Sequence, residues 1–269
     1  MKPMVNQNRR AGQARTLGLA MLAVWAVGCA DGSASKADLD VMVNGEAFAE
    51  AGMLSKDGWQ ISFDEVTVTV GEVTVSGAPS DAEGDPVEVP WSLGEEGSET
   101  PPGFVAVSLQ DGPVKLGPQE VPVGTYNQVQ WQWGADATAA IALKGTAVQG
   151  DQSIPFNLRF PGEFQANCGD YVGDERKGIV TADSGGEVEL TLHLDHMFGD
   201  GDSPPNDEIN TKSFGFNPFL ETASEEGIVV TPATWESWGT PALRQSLKDV
   251  LISMPHVGEG HCDVVPQSP

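Results

Sequence analysis

The sequence predicts a mainly β protein, an antiparallel β-sandwich with a small C-terminal helical extension. Three observations carry that prediction. Apolar and polar residues alternate in short runs, as in Trp59, Ile61 and Phe63, then Val66, Val68 and Val70, and again in Val129, Trp131 and Trp133, the period of a strand with one face buried. Turns rich in Gly, Pro and Asp separate these runs, the spacing expected of a sandwich or barrel. No helical period shows before residue 200, whereas Leu243, Leu247, Val250 and Leu251 recur at helical spacing towards the end.

In order along the chain, Lys2, Arg9, Arg10 and Arg15 precede an apolar run from Leu17 to Val27, the layout of a secretory signal. That run is too short to span a bilayer. Ala26, Val27, Gly28 and Cys29 resemble the lipobox of bacterial lipoproteins, which places cleavage before Cys29 and a lipid on its thiol; Ala26 departs from the usual leucine. The pair Arg9 and Arg10 raises a twin-arginine route, but the residues after it do not match one, and general secretion fits better. The expected organisation is a signal peptide over 1–28, a lipidated tether over 29–38, a sandwich over 39–200, and a loop and helical extension over 201–269 packed on it.

The chain has 14 basic and 39 acidic residues, a net charge of −25. Residues 1–28 contain four of the basic residues and no acidic one, so the mature chain keeps 10 against 39, a net −29. That balance excludes nucleic acid as a partner, since phosphate-backbone binding needs a basic surface. It suits an exported protein and draws cations towards it. With Cys29 lipidated, Cys168 and Cys262 remain, and in an oxidising compartment a disulfide between them is the default. It would close a loop of 94 residues, worth about 4 kcal/mol on the chain-entropy account. A competing reading makes Cys262 a metal ligand beside His261.

After the tether, Glu46 and Glu50 flank Phe48 four residues apart and would share one face of a helix. The strands that follow change parity near Asp64 and Glu65 and again at Gly71, which predicts bulges or turns there. Residues 76–103 read as a long acidic surface loop. Val105, Val107 and Leu109 form a strand, 121–126 starts another, and Gly150-Asp151 turns the chain into Ile154, Phe156, Leu158 and Phe160. The tryptophans of the Gln128–Trp133 run read as core, with a sugar-stacking platform as the alternative.

The stretch with most chemistry is EVELTLHLDHMFGD, 187–200. Val188, Leu190, Leu192 and Leu194 alternate with Glu189, Thr191, His193 and Asp195, so His193 and Asp195 share the polar face of a predicted strand. His196 follows where the chain turns. His256 and His261 lie in MPHVGEGHCD, so all four histidines fall in two short clusters. Neutral imidazole is the commonest nitrogen donor to transition metals, and a nearby carboxylate can ligate or orient the ring. Zinc is favoured by nitrogen and carboxylate donors, and copper is the alternative because Met197 and Met254 lie beside the clusters. Ordinary solvated histidines are the plain alternative.

Asp200, Asp202, Asp207 and Glu208 are dense but irregularly spaced, and read as a solvated loop rather than a calcium site. Thr222, Ser224, Glu226, Gly227 and Val229 match places of an EF-hand loop, but Ala233 stands where the bidentate glutamate belongs, so calcium is not expected. Thr231-Pro232 and Thr240-Pro241 are helix-start signals, for a short helix around Trp235 and Trp238 and a longer one to Leu251.

The motifs GEAFAEAGM, DGWQISFDEV, VPVGTY, HLDHMF and HVGEGHC together resemble a family of exported lipoproteins, mostly from deltaproteobacteria, over most of the mature chain. The resemblance implies a β-sandwich with a degenerate EF-hand-like C-terminal part. It implies Glu46, Glu50, His193, Asp195, His196, His256 and His261 as the positions to test, and, through Ala30 after the lipidated cysteine, the outer membrane of a Gram-negative cell. It implies no reaction. The middle of the chain also resembles the copper-associated sandwich partners of methanobactin clusters, whose metal-site motifs are not evident here.

The leading expectation is a lipid-anchored, periplasm-facing or surface-exposed metal-binding lipoprotein with an unassigned protein or small-molecule partner. The runner-up is a metal-free surface module that recognises a protein or glycan. A metal-dependent hydrolase with Glu46 or Glu50 as base comes third; the chain is not expected to be an enzyme, since it carries no G-x-S-x-G, H-E-x-x-H or thiolate–histidine pattern.

Overall fold

The computed structural model describes residues 35–80, 86–94, 101–135, 139–169, 178–258 and 260–267. The predicted signal segment, Cys29 and most of the tether lie outside the described residues. The chain opens with strand β1 (Lys36–Asn44), helix α1 (Glu46–Ala51), β2 (Met53–Leu54) and the long β3 (Gln60–Pro79). Then come β4 (Val87–Pro90), β5 (Phe104–Ser108), β6 (Val114–Pro122), β7 (Gly124–Trp133), β8 (Ala139–Gln149), β9 (Gln152–Pro161) and β10 (Phe164–Gly169). After β11 (Ile179–Val180) and β12 (Gly186–Leu192) follow α2 (Leu194–Phe198), α3 (Glu208–Lys212) and β13 (Ile228–Val230). The last elements are α4 (Pro241–Leu251), β14 (Pro255–Val257), β15 (Gly260–His261) and β16 (Asp263–Pro266).

The protein is mainly β, as its alternating sequence predicts. The strands of the described residues form two sheets. The larger runs β13-β9-β8-β3-β7-β10-β16 with the short strands β2, β4, β5 and β11 along it, and the smaller runs β15-β14-β12-β1-β6. The long strand β3 organises the larger sheet, pairing with β8 over Gln60–Val68 and with β7 over Val70–Pro79. Its register shifts between Phe63 and Glu65 and between Gly71 and Thr74, where the alternation changes parity, because an extra residue must be absorbed to return the apolar side chains to the core. Val66, Val68, Val70, Val73 and Val75 are all buried as a result. Most pairings are antiparallel, but β1 runs parallel to β12 and β13 parallel to β9.

Several sequence expectations need correction. The acidic stretch 76–103 is not all loop: β3 continues to Pro79, and Val87 and Val89 carry β4 back along it. Among the described residues two helices precede residue 200, α1 and α2; at six and five residues they are too short to register as a helical period. Trp131 and Trp133 are wholly buried, and Trp133 stacks on Phe164 at 4.6 Å. They cannot serve as a sugar platform. Every tryptophan among the described residues is buried. The EF-hand-like stretch folds otherwise: Thr222 closes a 3-10 turn, Ser224 and Gly227 bridge, and β13 follows.

Thr240 caps α4 as its sequence predicts, its hydroxyl accepting the N–H of Leu243 at 3.1 Å. The turn around Trp235 is a single 3-10 turn. The described residues of 201–269 also supply four strands, and the last segment joins both sheets: β15 pairs with β14 in the smaller and β16 with β10 in the larger, with Cys262 alone between them. Cys262 forms a disulfide with Cys168 of β10. Among the described residues no helix is long and apolar enough to cross a membrane.

Candidate metal centre

The pleat of the smaller sheet gathers the two histidine clusters. Thr191 on β12 stands opposite His256 on β14, and His256 opposite His261 on β15, so these three share one row across the sheet. His193 lies two residues beyond Thr191 and still extended, which returns its side chain to that face. The strand predicted to reach Asp195 stops at Leu192, and α2 begins at Leu194. His193 and His196 thus lie three apart across one helical turn, the spacing that brings side chains together. The turn ends at Gly199, φ 74°, where a Cβ would come within 2.5 Å of Lys56 Cβ and 2.7 Å of Asn210 Oδ1. Glycine is required there both by conformation and by room.

Four imidazoles form one cluster. Ring centroids lie 4.1 Å apart for His193 and His256 and for His256 and His261, 4.9 Å for His196 and His256, 5.5 Å for His193 and His196, and 5.7 Å for His196 and His261. Donor atoms of His196, His256 and His261 fall within 4.8 Å of one another, and so do those of His193, Asp195 and His196. Two donors on one tetrahedral zinc sit roughly 3.4 Å apart, so small ring rotations would close either group on an ion.

The hydrogen bonds around the cluster leave nitrogen lone pairs pointing into it. Ser253 Oγ donates to the Val250 carbonyl at 2.7 Å, so its 3.2 Å contact with His196 Nδ1 has the ring donating. Nε2 of His196 is then unprotonated. Nδ1 of His193 lies 3.3 Å from Glu46 Oε2 and 3.8 Å from Asp195 Oδ1, the carboxylate–histidine arrangement that fixes a metal-binding tautomer. Among the described residues, His193 Nε2, both nitrogens of His256 and Asp195 Oδ1 are buried without a hydrogen-bond partner. Each such orphan costs about 1–3 kcal/mol, which makes the cluster expensive unless something binds it.

Burial favours the neutral form of His193, His196 and His256. It lowers the pKa of His193 to about 4, with His196 and His261 adding to the effect. It lowers that of His256 to about 3, helped by His193, His261 and His196 and offset in part by the nearby Ser253 backbone. His196 is lowered too, by burial and then by His261. Burial raises the Asp195 carboxyl, offset in part by the backbone N–H groups of His196 and Asp195. Neutral imidazole is the form that binds a metal.

Of the residues read as candidates, the structure brings together His193, His196, His256, His261, Asp195 and Glu46. Glu50 is exposed beside Gly112 and belongs to neither donor group. Cys262 is taken by the disulfide, which removes it as a ligand. Met197 and Met254 are wholly buried in the hydrophobic core.

Sequence reasoning missed Ser253, Asn44 and Glu189. Asn44 Oδ1 accepts the backbone N–H of Glu46 at 2.9 Å and its Nδ2 donates to the buried Glu189 at 2.6 Å. Asn44 thereby holds Glu46 at φ 58°, a conformation that costs a non-glycine residue roughly 1–2 kcal/mol. Strain of this kind collects at functional sites. The one sequence signal was the Asn44-Gly45-Glu46 turn chemistry itself.

Comparison with family models, with curated proteins and with solved structures finds no match for this chain.

Proposed function

We propose that this chain is an exported, lipid-anchored metal-binding protein of the cell envelope. Cys29 is its lipid attachment point, the outer membrane its location, and the four-histidine cluster its metal site. The observation that carries the reading is His256, 4% exposed, with neither ring nitrogen bonded to another described residue and three further imidazoles around it. His196, His256 and His261 are the principal ligands. His193 and Asp195 stand on the inner side, and Glu46 orients His193. Zinc is the favoured ion because the donors are imidazole nitrogens with carboxylates nearby, and copper is the alternative. Export and the anchor are supported by the basic and apolar layout of residues 1–28 and by Cys29 after it, and the outer membrane by Ala30 following the cysteine, as the lipoprotein resemblance implies.

The test is a zinc titration, and separately a copper titration, of chelator-treated full-length protein followed by thermal melting. A ligand that binds only the folded state raises stability by mass action, about 2.7 kcal/mol at a hundredfold excess over Kd. The reading expects a rise in Tm that saturates near one equivalent and is absent in the His196→Ala, His256→Ala double variant. An unchanged Tm with both ions would leave a metal-free binding module as the reading.

A further inference from the structure

The two overlapping donor groups describe one ion rather than two. His196 belongs to both, with His256 and His261 in one and with His193 and Asp195 in the other. With Nδ1 turned to Ser253, His196 offers a single free nitrogen, and one nitrogen lone pair serves one ion. Building on the metal site proposed above, an ion at that nitrogen draws on His193 as well as on His256 and His261.

His193, rather than Asp195, is placed to complete the coordination. Glu46 and Asp195 both lie off its Nδ1, at 3.3 and 3.8 Å, and so stand behind the ring. The other nitrogen, Nε2, which the ring directs away from Nδ1, is buried and without a partner among the described residues. Imidazoles on one tetrahedral ion have ring centres about 5 Å apart, and the five described ring pairs span 4.1 to 5.7 Å. Four neutral imidazoles leave the charge of a divalent ion unmet, and the carboxylates of Glu46 and Asp195 answer it from behind His193 without binding. An ion whose positions are all filled by protein belongs to the closed class of site, whereas a catalytic ion keeps one position open.

An enclosed ion needs a way in and out. His256 is buried and His193 and His196 are half-buried, but His261 is exposed. It stands on β15, two residues long and at the edge of the smaller sheet. His261 and His196 line a cleft of about 770 Å³, with Ser246 and Asp249 of α4 on its wall. Of the four rings, His261 is the one that can swing aside without disturbing buried neighbours.

We infer that four imidazoles enclose the ion, His193 through Nε2 as the fourth, and that the ion enters and leaves through the cleft by release of His261. The site holds and hands over its ion and presents no position to a substrate.

The experiment loads the full chain with cobalt(II), whose visible spectrum reports its coordination, and adds azide as an external ligand. The wild type is expected to keep its four-coordinate spectrum in excess azide, and His193→Ala, which opens a position, to shift. The wild-type arm decides the closure without any variant. Zinc release to excess EDTA follows the route: Ser246→Trp, which fills the cleft, should hold full zinc yet release it at least tenfold more slowly than wild type. His261→Ala should release zinc at least tenfold faster than His193→Ala, in which the outer ring still has to move. A wild-type spectrum that moves with azide, a cobalt-loaded His193→Ala with the wild-type spectrum, or release from Ser246→Trp as fast as from wild type would overturn the inference and leave the metal reading standing; so would equal release from the two histidine variants. A wild-type chain that takes up neither cobalt nor zinc would overturn both.

Discussion

His256 and His261 face each other across the β14–β15 hairpin with ring centroids 4.1 Å apart, and the residue after His261 is bonded through its sulfur to Cys168 on the other sheet. The covalent link and the outermost histidine are therefore one mechanical unit. Opening the disulfide frees the segment that positions His261. The Cys168→Ser, Cys262→Ser variant is expected to lose about 4 kcal/mol of stability on the chain-entropy account and at least tenfold in zinc affinity. Denaturant melts and competitive zinc titration check both, and affinity equal to wild type would show that the hairpin holds itself.

Acid should destabilise the metal-free protein before its carboxylates titrate. In the native state His193 and His256 stay neutral down to about 4 and about 3, whereas in the unfolded chain they take up a proton near 6.5. Below that value the unfolded state holds more protons, so stability falls as pH falls. Urea melts of metal-free protein at pH 7.5, 6.0 and 5.0 should give a steadily lower midpoint, and the slope should diminish in His256→Phe. A midpoint independent of pH across this window would contradict the burial of neutral rings.

Glu46 should act through His193 rather than as a main ligand. Glu46→Gln removes the charge facing Nδ1 while keeping the side-chain shape, and is expected to weaken zinc binding about 10- to 100-fold with little change in melting. Glu50→Gln, exposed and outside both donor groups, should leave affinity as it is. Isothermal titration of the two variants side by side separates the roles, and equal effects from both would defeat the assignment.

Trp131 should be a packing residue. With its ring wholly buried on β7, Trp131→Ala is expected to cost about 3–5 kcal/mol, read as a fall in the denaturant midpoint. Near-wild-type stability would mean the ring is not core.

Much of this arrangement could be read from the sequence where the physics is local. Strand β3 declared its bulges through the parity changes at Asp64 and Gly71, and Thr240-Pro241 marked the start of α4. The histidines stood out because all four fall in two short segments. Pairing, by contrast, is a long-range property. Nothing local in Lys36–Asn44 says that it runs parallel to β12, and Val114–Pro122, interrupted by Gly117 and Pro118, shows no clean alternation. Helix α2 hid inside an apparent strand because Leu192 and Leu194 continue the alternation across its start. Ser253, Asn44 and the α3–α4 cleft were invisible because they take their meaning from neighbours far away in sequence.

The most direct test of the central claim is elemental analysis of the purified full-length protein after dialysis against trace zinc and copper, with the His196→Ala, His256→Ala variant treated identically. The account predicts close to one equivalent of metal in the wild type, chiefly zinc, and its loss in the variant. A wild-type protein free of metal, with a melting curve that the variant shares, would contradict it.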